Sequence, residues 1–124
     1  MPYKLLWEPS GLYRQYSGDV TIAERRASFN QICADPRFDQ LRYVITDYLA
    51  VEGFETTARA TEELAAFHIA PLLTNPRVVI AAVATRPDIV ADIQAFIRHG
   101  FTSRPYRVFA TLDDARRWVS TVAR

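Results

Sequence analysis

The chain has 124 residues, 49% of them hydrophobic, and its 15 basic and 14 acidic residues leave a net charge of +1. That length suits one domain spanning residues 1–124 with its own core, and the balanced charge gives no footprint for nucleic acid or an anionic membrane. The single cysteine, Cys33, excludes an internal disulfide and a cysteine-ligated metal cluster, and it fits a reducing, cytoplasmic setting.

The N-terminal MPYKLLWEPSG reads as too short and too interrupted for a signal peptide. Residues 3–8 and 12–17 are short runs separated by Pro9-Ser10-Gly11, which predicts a hairpin. Period two puts Tyr3, Leu5 and Trp7 on one face and Lys4, Leu6 and Glu8 on the other. Ser17-Gly18-Asp19 reads as the end of the second strand.

Thr21 and Glu24 form a capping box, and the spacing predicts a helix to residue 34 that Pro36 ends. Ile22, Phe29, Ile32 and Cys33 make its inward stripe, with Arg25, Arg26 and Asn30 facing water. Residues 41–47 form the next strand, with Asp47 at its end and a loop around Gly53 after it. A second helix follows over 57–73, the only one of four without a clear capping box.

Residues 77–85, RVVIAAVAT, are apolar without alternation, as in a central parallel strand covered on both faces. Thr85 and Asp88 read as another capping box, with Pro87 in the first turn. Ile89, Val90, Ile93, Phe96 and Ile97 then give the clearest amphipathic helix, closed by Gly100. Residues 106–110 are the last strand, and a Thr111/Asp114 box opens the final helix.

The order is β-β-α-β-α-β-α-β-α. The fold class is therefore α/β, with a single mixed, mostly parallel sheet of about five strands, an N-terminal hairpin and four helices. The strand order is not legible. No apolar run approaches the roughly 20 residues of a membrane span.

RVVIAAVAT, the helix after it and YRVFATLDDARRWV resemble the bacterial STAS-like proteins. These are related in fold to the anti-sigma-factor antagonists and, more distantly, to the larger CRAL-TRIO lipid-binding domains. Phe109, Leu112, Ala115 and Trp118 carry the F-x-x-L-x-x-A-x-x-W-type ending, with Asp114 and Arg116 inside it. The upstream strand with Asp47 matches as well. The resemblance implies a STAS-like fold and a regulatory or protein-interaction role. It does not extend to the serine switch. The family's Asp-Ser-Ser-Gly-type turn is here Glu52-Gly53-Phe54-Glu55-Thr56-Thr57.

In open α/β sheets ligands sit beyond the carboxyl ends of the strands. That makes Asp47, Glu52, Glu55, Thr56 and Thr57 a candidate recognition or switch loop, or else a set of turn and helix caps. Thr85 and Arg86 are a candidate anion contact at the same end of the sheet, or a surface pair with Asp88 or Glu55. His68 falls opposite Arg59, Glu62 and Glu63 on its helix and should face inward, either as a pH-sensitive group or as a hydrogen-bonded core residue. Nothing in the pattern supplies a catalytic constellation, a metal site or a cofactor motif, so the expectation is a non-enzymatic domain with no cofactor. The second helix is apolar over most of its circumference. A second subunit is one cover for it, making a homodimer or a complex with another protein, and the hairpin or neighbouring helices are the other. The alternative function is a small-ligand or lipid-binding module. A cavity lined by Leu64, Phe67, Ile93, Phe96 and Ile97 would favour it.

Overall fold

The computed structural model describes residues 2–100 and 105–123. Five strands, β1 (Tyr3–Trp7), β2 (Gly11–Val20), β3 (Tyr43–Phe54), β4 (Val79–Val83) and β5 (Tyr106–Phe109), form one sheet in the order β1-β2-β3-β4-β5. The hairpin pair β1–β2 is antiparallel and the other pairs are parallel. The hairpin turn closes with Glu8 and Gly11 exchanging backbone hydrogen bonds at 2.8 and 3.4 Å.

The helices are α1 (Ile22–Ala34), α2 (Ala58–Phe67), α3 (Ile69–Thr74), α4 (Pro87–Arg98) and α5 (Leu112–Val122), with a 3-10 turn at Pro36–Gln40. Parallel strands that advance steadily in one direction, joined by right-handed crossovers, place every crossover helix on the same face. α1, α2–α3 and α4 accordingly share one face of the sheet. There they meet Leu12, Tyr16, Val44, Tyr48 and Ala82. α5 lies on the other face, where Ala115 and Val119 pack on Ile45, Ala81 and Val83. All five residues of β4 are buried, as its unalternating sequence requires.

Local sequence explains most element ends. The Thr21/Glu24 capping box is formed in both directions. Thr111 accepts from the Asp114 amide. Gly100 follows α4 at φ 68°, where a side chain would be strained.

Several expectations are corrected. β2 does not end at Ser17-Gly18-Asp19; it passes through them with two register shifts and Gly18 at φ 65°. β3 likewise runs past Asp47, because the prolonged β2 continues to pair with it as far as Val20–Phe54. Only on the β4 side does pairing stop at Asp47, opposite Val83. The Thr85/Asp88 box is absent. Arg86 is the N-cap, with Pro87 at the first helical position, so Asp88 sits one place too early to reach back. Conversely α2 does have a side-chain cap, since Thr57 Oγ1 accepts from the Ala60 amide at 3.0 Å. α4 is the amphipathic helix that starts without one.

The helix expected over 57–73 is interrupted at His68. Pro71 cannot donate to the carbonyl of Phe67, and its ring crowds that carbonyl, so the helix breaks one turn earlier. The His68 backbone N–H turns to the carbonyls of Ala65 and Ala66. Its ring Nδ1 then meets the Leu64 carbonyl at 2.7 Å, in the place the backbone donor has left.

Candidate functional site

The helix-side face of the sheet encloses a pocket of about 70 Å³. Period two brings Arg14 and Tyr16 of β2, Val44 and Tyr48 of β3, Ile80 of β4 and Tyr106 of β5 to its floor. Helical spacing supplies the roof: Arg25, Phe29 and Ile32 from α1, Leu64 and His68 from α2 and its end, Pro71 and Leu72 from α3, and Asp92, Ile93 and Phe96 from α4.

Arg14 is the central polar group. The register sets it beside Thr46, whose Oγ1 accepts from Nε at 3.1 Å and Nη2 at 2.9 Å. Nη1 donates to Ser28 Oγ at 2.9 Å, and Ser28 Oγ also pairs with the Tyr16 hydroxyl at 2.6 Å. The guanidinium lies 5.2 Å from the Tyr16 ring centre. Tyr48 is buried on the same floor, and burial first, with the neighbouring Tyr16 and Asp92, pushes its phenol up to about 12. Burial also raises the Tyr106 phenol above its ordinary value.

His68 faces inward, as its helical position predicts. Its ring stacks on Phe29 at 3.8 Å between centroids and meets Phe96 edge-on at 4.9 Å. Burial, with a smaller push from Arg14, brings its pKa down to about 4 against the contribution of the Leu64 carbonyl. The imidazole is therefore neutral at pH 7, with Nδ1–H donating to Leu64 and Nε2 left as an acceptor.

A second network centres on Asp92, which lines the pocket with Arg25. Asp92 accepts from Thr56 Oγ1 at 2.5 Å and Thr61 Oγ1 at 2.6 Å on one oxygen, and from Arg25 at 2.8 Å on the other. Arg25, expected to face water, is buried: the Asp92 carboxylate and the Phe54 ring, 4.6 Å away, replace its hydration.

The residues singled out from sequence separate into unlike roles. Thr56 belongs to the Asp92 network, whereas Thr57 caps α2. Glu55 accepts from the Ile22 amide at 2.8 Å and so supports the start of α1. Glu52 is exposed, and its carbonyl accepts from Arg86. Arg86 pairs with Asp88, at 2.8 Å, and Thr85 is exposed beside it. Asp47 is not part of a loop. It is buried on the α5 face, accepting from the Tyr13 hydroxyl at 2.5 Å and the Leu49 amide at 2.8 Å.

Of the five residues whose cavity would favour a ligand-binding module, Leu64, Ile93 and Phe96 line this pocket. Phe67 is instead half-exposed beneath Arg26, and Ile97 packs in the core. Among the described residues no group of three or more His, Cys, Asp and Glu side chains is placed to hold a metal. Cys33 is half-buried, and burial raises its thiol to about 11. Asp92, the carboxylate of the pocket lining, is committed on both oxygens.

The whole architecture matches the solved structure of the anti-sigma factor antagonist SpoIIAA in its unphosphorylated form, with a TM-score of 0.63 over 95% of this chain and 97% of that one, at 12% identity. The chain has the STAS-like fold. An uncharacterised DUF3478-family protein with a SpoIIAA-like fold, from Shewanella loihica, aligns over 94% of this STAS-like chain and 91% of its own, with a TM-score of 0.57 and 13% identity. No family model matches the chain, and no curated protein does. Among the described residues no helix is long and apolar enough to cross a membrane.

Proposed function

We propose that this chain is a non-enzymatic, cytoplasmic STAS-like regulatory domain that acts by docking on protein, either a second copy of itself or a different chain. The observation that carries the reading is the outer side of α2–α3. Ala66 at the end of α2 and Ile69, Ala70 and Leu73 of α3 are all exposed, with Phe67 beside them. Leu73 is 78% exposed and Phe67 45%. Grouped large apolar side chains on one surface are the usual mark of a contact site, and the two alanines allow a partner backbone close approach. The similar SpoIIAA is an anti-sigma factor antagonist, which gives that protein a role defined by other proteins.

Docking fits the site better than a phosphoswitch does. A phosphate on Thr56 would face the Asp92 carboxylate at hydrogen-bond range, and like charges there repel. Thr57 is occupied as a helix cap.

Leu73→Arg tests the reading, because so exposed a side chain is replaced without disturbing the core. Light scattering at micromolar concentration should show a dimer for the wild type and a monomer for the variant, or pull-downs from the native host should show a partner held by the wild type and lost by the variant. A monomeric wild type whose captured proteins are the same with and without Leu73→Arg sinks the proposal.

A further inference from the structure

We propose that the pocket around Arg14 binds a small monocarboxylate with an apolar body, the carboxylate on the guanidinium and the tail along the strands toward Val44. This is independent of the docking face on α2–α3, and the two can fail separately.

Charge is the first argument. Two guanidinium groups line the pocket. Arg25 has its counter-charge in Asp92, but Arg14 forms no ion pair among the described residues. Its hydrogen bonds go to two neutral hydroxyls, Thr46 and Ser28. A guanidinium carries five N–H donors, and three are used, so one N–H on each terminal nitrogen is left. Arg14 is partly buried, and a cation drawn part-way out of water gains from a counter-charge; the π face of Tyr16 compensates only part of it. His68 is neutral here, so the pocket holds one positive charge in excess. A monoanion restores the balance; a dianion overshoots it.

The second argument is an unused hydroxyl. Tyr48 is more than nine-tenths buried and lines the same pocket, and its phenol forms no hydrogen bond among the described residues. Its oxygen is not sealed off, since the unpartnered buried polar side-chain atom among the described residues is Arg26 Nε, so the phenol is available to a ligand in the pocket. With the free Arg14 donors it supplies a third hydrogen bond to one anionic group.

The third is shape and polarity. Moving back along β3 from Tyr48 to Val44 covers four residues, roughly 13 Å, and the lining turns apolar: Val44 with Ile32, Phe38, Leu72 and Val78. At roughly 10–15 Å³ per water-sized occupant, the cavity takes about five waters, or a ligand of roughly five to eight non-hydrogen atoms. That suits a short acyl or small branched carboxylate and is far too small for a membrane lipid.

The test uses the full chain and sodium hexanoate, with 1-hexanol and inorganic phosphate as the matched apolar and anionic probes, read by calorimetry and thermal shift. Hexanoate should bind saturably and raise the melting temperature by several degrees at about ten times its Kd, while hexanol and phosphate should bind at least about tenfold more weakly. Arg14→Gln should weaken hexanoate by roughly ten- to a hundredfold, the range for one charge-assisted contact. Because Arg14→Gln can fail to fold, Tyr48→Phe is the second variant. It keeps the ring and removes only the hydroxyl, and it should weaken hexanoate several-fold. Absence of saturable binding, equal binding of hexanol, phosphate binding that gains nothing from a tail, or wild-type affinity in Tyr48→Phe each overturns the proposal.

Discussion

The histidine at the break between α2 and α3 should make this protein acid-sensitive in a defined window. Its imidazole is sandwiched by Phe29 and Phe96 and donates to the Leu64 carbonyl. Desolvation dominates, and the pKa falls from 6.5 to about 4. The unfolded chain thus takes up a proton near pH 6.5 that the folded chain refuses until about pH 4. Between those values acid favours the unfolded state, so the contribution is fully present above 6.5 and is lost as pH falls through the window. At about 1.36 kcal/mol per unit, the loss attributable to this ring is about 1.4 kcal/mol at pH 5.5 and about 2.5 kcal/mol at pH 4.5. Urea unfolding of the wild type and of His68→Gln across the window isolates it. Glutamine keeps an amide donor for Leu64 and does not titrate, and the remaining carboxylates act on both proteins alike. The wild type should lose stability faster than the variant by those amounts. Parallel loss, within about 0.5 kcal/mol, would mean that the folded ring takes up its proton as freely as the unfolded one, and the burial argument would be wrong.

Two further outcomes follow from the polar networks. Asp92→Asn should destabilise the chain by about 3 kcal/mol or more in urea, because it strips the buried Arg25 of its counter-charge while leaving the packing unchanged; a change below about 1 kcal/mol would show that Arg25 escapes to water. On the α5 face, Arg116 grips Glu8 with two hydrogen bonds of 2.7 Å, and this, aided by the Tyr43 hydroxyl and opposed by partial burial, holds the Glu8 carboxyl below its ordinary 4.5. Arg116→Gln should move the Glu8 titration measured by NMR upward, with little effect on stability because the pair is partly solvated; an unmoved titration would remove the pairing from the account.

What the sequence disclosed about the fold is what short-range chemistry governs. Thr21 with Glu24, Gly100 after α4 and the Pro9-Ser10-Gly11 turn each act over three or four residues and stand where expected, while of the Thr111/Asp114 box only the Thr111 cap forms. The errors fall where a distant strand or a proline changes the local outcome. Ser17-Gly18-Asp19 has turn chemistry, yet Ala50, Val51 and Gly53 pair with it and keep it in the sheet. A single helix over 57–73 satisfies hydrophobic periodicity. Pro71 breaks it all the same, because periodicity reports where side chains point and not whether every backbone donor exists.

The candidate site was legible in part, and the divide has a physical cause. His68 could be placed inward because its neighbours at one-turn spacing are apolar. Arg14 offered the same kind of signal, standing two residues from Leu12 and two from Tyr16 on a strand, and alternation alone puts it on their face. Arginine is ordinarily an outward residue, so a basic residue on a hairpin strand reads as the solvated side. Arg25 and Asp92 were harder still: the partners are 67 residues apart, and each looks like a solvated charge until the other is known. Burial of a charge is a property of a pair or of a site, not of one position. The charge in this pocket that has a protein partner explains itself through Asp92. The one that has none is the feature that asks for a ligand.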